Sequence, residues 1–315
     1  MTEPFIQEDV QAYLDALNAT PRPALDERII AMMRQMPPDY LAQRDLPVGE
    51  LGEIRDVSMR GPGGEIALRL FDPRAERAAG PVLVYFHGGG FVLGGIDTHA
   101  GLTAEIARHL DLPVISVEYR LAPEHPWPAA VDDGEAAARW IAENGAAFDR
   151  QFTGLILVGD SAGGSLTCVA AAALRDRPAA LPVIMQMPIY PTADFSKVYP
   201  SAQQFGTGFG LDTADKAFFT RVYAPDVNDP RGSALNGDLA GLPPTLVVTA
   251  GLDPLRDQGR AYAAKAIEAG VNVTYREVGG TMHGFCSYRA DIPSARGELA
   301  TVLDLAAAML RSIGR

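Results

Sequence analysis

The chain has 315 residues, of which 47% are hydrophobic and 21% charged, the balance of a globular protein with one large domain or two ordinary ones. A formal net charge of −12 repels nucleic acid and anionic membrane surfaces, so neither is an expected partner. No stretch reaches the roughly 18 uninterrupted apolar residues of a membrane span, and the acidic opening MTEPFIQEDVQAYLDAL lacks the basic-then-apolar layout of a secretory leader, so a cytoplasmic location is expected.

Two helical patterns come first, at residues 9–17 and 25–36, separated by Thr20-Pro21-Arg22-Pro23 and stopped by Pro37-Pro38. Neither leads into a strand, so they read as a helical preface. Residues 53–59 and 65–71, joined by Arg60-Gly61-Pro62-Gly63-Gly64, read as an antiparallel hairpin. From Pro81 the rhythm becomes strand, loop, helix, repeated. Apolar runs at 82–86, 114–117, 155–158, 183–189, 245–250 and 271–278 alternate with helix-like stretches at 101–110, 129–144, 163–175, 256–269 and 294–313. Continuous aliphatic strands alternating with helices imply an α/β fold with a mostly parallel sheet covered on both faces. The rhythm breaks between Pro191 and Pro243, where Tyr- and Phe-containing loops carry one helical piece at 213–223. Excursions beyond the C-terminal end of a strand in such a sheet lie beside the ligand crevice, so this insertion is expected to cover the site.

The stretch Leu155 to Gly164, LILVGDSAGG, runs from a buried strand through a tight turn into an Ala-rich helix, with Ser161 at the apex. Gly159 and Gly163 leave room where a turn this sharp has none for side chains. Alone, the pattern fits either a serine that caps the helix or a nucleophile held above the sheet edge. A nucleophilic serine needs a base. Of the five histidines, His99, His109 and His125 read as surface or packing residues and His87 belongs to a glycine loop. His283 follows the last strand in Gly279-Gly280-Thr281-Met282-His283-Gly284-Phe285, read as a flexible loop at the sheet edge. A carboxylate must orient that base. Asp253 stands just past the strand at 245–250, whereas Asp257 falls in the first turn of the next helix, where the helix dipole accounts for it. The order Ser161, Asp253, His283 is that of the α/β-hydrolases.

Acyl transfer also needs donors for an oxyanion. The run Val82 to Phe86 leads into His87-Gly88-Gly89-Gly90-Phe91, and the donors are expected from the N–H groups of Gly88 and Gly89, with Gly90 beside them, and of Ala162. Cys168 and Cys286 lack metal-ligand spacing and read as buried thiols.

These motifs, with Tyr119-Arg120-Leu121-Ala122-Pro123-Glu124-His125-Pro126 and Asp253-Pro254-Leu255-Arg256-Asp257, make the chain from about Pro81 onward resemble the hormone-sensitive-lipase-like esterases, the bacterial family IV carboxylesterases. The resemblance implies an α/β-hydrolase fold of about eight strands. It implies a cap from residues 1–45 and 192–230 over a catalytic domain of residues 46–191 and 231–315. It also implies Ser161 as nucleophile, Asp253 as acid and His283 as base, hydrolysing short- to medium-chain esters of small molecules without metal or organic cofactor. Asp160 and His87 would support the turn and the glycine loop. A lipase or an amidase would use the same machinery. Plant gibberellin receptors resemble this family but bind ligands without the catalytic histidine, which His283 argues against here. Members often pair through a sheet edge, so a homodimer is among the expected assemblies.

Overall fold

The computed structural model describes residues 4–20, 22–37 and 42–314. Eight strands form one sheet in the order β1-β2-β4-β3-β5-β6-β7-β8. The hairpin β1 (Glu53–Gly61) and β2 (Gly64–Asp72) joins β4 (Val114–Val117) antiparallel, and β3 (Gly80–Phe86), β5 (Phe152–Asp160), β6 (Val183–Ile189), β7 (Thr245–Leu252) and β8 (Val273–Met282) complete a parallel run.

Successive side chains of the central strands go to opposite faces. Val82, Val84, Phe86, Leu155 and Leu157 enter one core, whereas Leu83, Tyr85, Ile156 and Val158 enter the other. Both faces are therefore apolar, which is why these strands read as continuous hydrophobic runs. Helices α4 (Ala129–Glu143), α5 (Ala162–Asp176) and α8 (Arg256–Glu268) cover the first face. Helices α1 (Glu8–Asn18), α3 (Ala100–Leu110) and α9 (Ser294–Ile313) cover the second.

The remaining helices, α2 (Glu27–Gln35), α6 (Pro200–Gln204) and α7 (Thr213–Tyr223), belong to the two stretches that break the rhythm. Asp26 caps α2 by accepting from the Ile29 N–H at 2.8 Å. Pro38, half of the pair expected to stop α2, and Pro21 lie outside the described residues. The two stretches touch: Asn18 donates to the Gly208 carbonyl at 2.9 Å, Arg22 pairs with Asp212 at 3.0 Å and Arg221 with Glu27 at 3.1 Å.

Two expectations change. The last strand continues through Gly279 and Gly280 to Met282, because the Gln7 N–H binds the Gly280 carbonyl at 3.0 Å on one side while Leu252 pairs with Met282 on the other. His283 thus leaves a strand end, not a flexible loop. Asp257 does more than complement a helix dipole: its carboxylate accepts from the Ser201 N–H at 2.9 Å and pairs with Arg256 and Arg260, tying α6 to α8.

Candidate active site

Strands β3 and β5 are parallel neighbours with Phe86 opposite Gly159, so the glycine loop and the serine turn emerge side by side. A Cβ on Gly163 would stand 1.8 Å from the Phe86 carbonyl oxygen, and one on Gly159 would stand 2.3 Å from the Gly163 carbonyl oxygen. Both glycines are therefore demanded by the approach of the turn to β3 as well as by the turn itself. Ser161 sits at φ 54° and ψ −116°, a backbone that a residue with a Cβ adopts only under constraint. Its N–H is held by the Ile189 carbonyl at 2.9 Å, and its side chain makes no cap to α5. The hydroxyl faces His283 instead.

His283 Nε2 lies 2.8 Å from Ser161 Oγ, and His283 Nδ1 lies 2.7 Å from Asp253 Oδ2. An ionised carboxylate only accepts, so Nδ1 carries the proton and the Nε2 lone pair receives the serine hydroxyl. Asp253 is fully buried, and its other oxygen accepts from the Leu255 N–H at 2.7 Å. The three residues stand at the ends of β5, β7 and β8. Such an arrangement can remove a proton from the hydroxyl and stabilise the imidazolium that results.

The glycine loop corrects one expectation. The Gly88 N–H donates to Asp160 Oδ1 at 2.9 Å, and the same oxygen accepts from the Tyr85 hydroxyl at 2.6 Å. A donor already bound to a buried carboxylate is not available to an oxyanion, so Gly88 is not a donor of the site. Among the described residues, no turn or loop hydrogen bond uses the N–H of Gly89, Gly90 or Ala162. The backbone turns sharply at Gly89 (φ 118°) and Gly90 (φ 65°), a region of backbone angles that favours glycine. Asp160 thereby ties the glycine loop to the serine turn. His87 is buried and stacks on Tyr119 at 4.2 Å, and its Nδ1 donates to the Gly88 carbonyl at 2.7 Å. Its Nε2 is buried without a partner, and burial, reinforced by His99, pushes its pKa down to about 3. The shift favours the neutral imidazole.

His109 pairs with Asp304 at 2.9 Å, away from the site. His99 packs 5.5 Å from the His87 ring. Arg120 forms a two-pronged pair with buried Asp133, at 2.7 and 2.8 Å, so that motif braces the loop after β4. Cys168 and Cys286 are free and buried. Among the described residues no group of three His, Cys, Asp or Glu side chains is placed to hold a metal ion, and no helix is long and apolar enough to cross a membrane.

Three neighbours escaped sequence reasoning. Tyr190, at φ 35° just after β6, places its ring 4.7 Å from that of His283. From α7, Phe219 lies against Gly90 and Tyr223 stacks on Phe91 at 3.8 Å. The break in rhythm located this helix, but not which of its side chains turn inward.

Comparison with known proteins agrees with this geometry. A family described by its alpha/beta hydrolase fold matches residues 83–287. Esterase LipI of Mycobacterium tuberculosis is 38% identical over 293 residues, covering 90% of this chain and 89% of its own. An ethyl acetate hydrolase of Pseudomonas putida is 37% identical, covering 80% and 81%. An ester hydrolase from the metagenome of Lake Arreo, solved with a derivative of bipyridine phosphonate, superposes with a TM-score of 0.90 at 38% identity, over 97% of this chain and 99% of that one. The chain therefore belongs to the α/β-hydrolase family, in its hormone-sensitive-lipase-like branch of carboxylesterases.

Proposed function

We propose that this carboxylic ester hydrolase works through an acyl-enzyme on Ser161, with His283 as base, Asp253 as its orienting acid, and the N–H groups of Gly89, Gly90 and Ala162 as the oxyanion donors. The observation that carries the reading is the continuous relay of 2.8 and 2.7 Å from Ser161 through His283 to a buried carboxylate. Ser161 Oγ attacks the ester carbonyl while its proton passes to His283 Nε2. The carbonyl oxygen gains negative charge facing the three N–H groups, which are fixed by the backbone before reaction. Collapse breaks the bond to the alcohol oxygen, which takes the proton from His283. Water, deprotonated by the same imidazole, then attacks the acyl-serine and releases the carboxylic acid.

The contacts between residues 18–27 and 208–221 support a cap built from the stretches 1–45 and 192–230 over residues 46–191 and 231–315. The relative named for ethyl acetate supports the short end of a short- to medium-chain acyl range. A homodimer paired through an edge of the sheet completes the reading, and light scattering that returned the mass of one chain would remove it. The deciding experiment is Ser161→Ala: turnover of p-nitrophenyl acetate is expected to fall by at least about 10⁴-fold, with a phosphonate probe labelling the wild type alone and thermal melting unchanged. Wild-type turnover by the variant would sink the assignment.

A further inference from the structure

Helix α7 lays one face over the site. A Cβ on Gly90 would stand 2.6 Å from the Phe219 ring, and Tyr223 stacks almost coplanar on Phe91. Lys216 lies one turn before Phe219 on that same face and is partly buried. Other cations of the same two stretches are paired: Arg22 with Asp212, Arg221 with Glu27 and Arg34 with Glu124. Lys216 has no such pair among the described residues. Burial pushes its pKa down, and the one charge opposing this is the Asp253 carboxylate. Both oxygens of that carboxylate are engaged, one by His283 and the other by the Leu255 N–H.

A partly desolvated ammonium without a counter-ion is unfavourable, and an anion delivered beside it removes the penalty. The effect is sharpened by the rest of the chain. With a net charge of −12, the chain as a whole repels anions, so a partly buried cation without an ion pair, on the helix face that rests on the glycine loop, concentrates the attraction there.

We infer that Lys216 is a specificity residue that receives a carboxylate on the substrate, so that the favoured esters are monoesters of dicarboxylic acids. This rests on Ser161 being the nucleophile, since the ammonium is placed relative to that site. The probes are monoethyl glutarate and ethyl valerate, which differ by a carboxylate in place of a terminal methyl group. The ratio of their kcat/KM values, acid over neutral, is expected to fall about tenfold in Lys216→Met and to be largely restored in Lys216→Arg. An unchanged ratio in Lys216→Met overturns the inference. So does an equal loss on both esters, which would mean that Lys216 acts on Asp253 and not on substrate. If the wild type cleaves p-nitrophenyl acetate but neither ethyl ester, the inference alone falls; if it cleaves none of the three, the acyl-enzyme reading falls with it. Should Lys216→Met fail to fold, wild-type inhibition decides: 5-oxohexanoate should inhibit about tenfold more tightly than 2-hexanone, and equal inhibition overturns the inference.

Discussion

Replacing Asp160 with alanine is expected to damage the fold and the site together. In the wild type a single oxygen, Asp160 Oδ1, accepts from both the Tyr85 hydroxyl and the Gly88 N–H. Tyr85 is fully buried and Gly88 is buried beside it. Each donor left unsatisfied in such a place costs about 1–3 kcal/mol, so Asp160→Ala should lose about 2–6 kcal/mol, a large part of the roughly 5–15 kcal/mol that holds a domain folded. Asparagine keeps an oxygen where Oδ1 stands, so Asp160→Asn should retain both bonds without their charge assistance and lose only about 1–2 kcal/mol. Catalysis follows the same order. The Gly88 peptide sets the direction of the next two N–H groups, and deletion of one oxyanion donor elsewhere costs roughly 10²–10³ in kcat. A loosened pair should therefore cost about 10–100-fold in Asp160→Ala and much less in Asp160→Asn. Urea unfolding and kcat on p-nitrophenyl acetate measure both effects. An Asp160→Ala protein within about 0.5 kcal/mol of wild type would refute the reasoning. Equal damage from alanine and asparagine would refute it too, since that would make the charge, and not the acceptor, the important part.

Other expected outcomes are more local. A methyl group at Gly163 would collide with the Phe86 carbonyl oxygen at 1.8 Å, so Gly163→Ala should yield little soluble enzyme, and normal yield with full activity would contradict the close approach of turn and strand. His87 ionises near 6.5 in the unfolded chain but only at about 3 in the folded one. Unfolding thus takes up a proton below pH 6.5, and this group lowers stability by about 1.4 kcal/mol per unit as pH falls through that window. Urea midpoints from pH 7 to pH 4.5 should decline less steeply in His87→Gln, and parallel profiles would count against a buried neutral imidazole. Arg34 donates to the carbonyls of Val92 and Ala122 as well as to Glu124; Arg34→Met should release α2 from the loop after the glycines and lose about 1–3 kcal/mol by urea unfolding.

Much of the architecture is legible because two short-range rules act strongly here. Strands buried on both faces are predominantly apolar, so residues 155–158 and 246–248 stand out without reference to any partner. Turns that meet another backbone must be glycine, so 159 and 163 mark the serine turn. What escapes depends on groups far apart in the chain. The extension of β8 to Met282 needs Gln7, which arrives from the N-terminal stretch to bind Gly280. The short helix α6 is held by Asp257 across 56 residues of chain.

The same distinction explains the site. Ser161, Asp253 and His283 follow strand ends, so finding the strands places them at one edge of the sheet, and the chemistry of each residue type suggests its part. The oxyanion donors are different, because three successive glycines offer equivalent N–H groups in sequence. Only the acceptor that reaches Gly88 breaks the equivalence, and that acceptor is Asp160, the residue next to the serine. One carboxylate thereby couples the serine turn to the glycine loop: it withdraws the first N–H from chemistry and sets the direction in which the next two point. Selectivity lies one layer further out, on α7, where the inward face was hidden by a weak apolar pattern, with only Phe218 and Tyr223 fully buried along the helix. A helix whose exposed and site-facing residues are both partly solvated gives little periodic signal, and Lys216 is therefore visible only once Phe219 and Tyr223 are seen resting on the glycine loop.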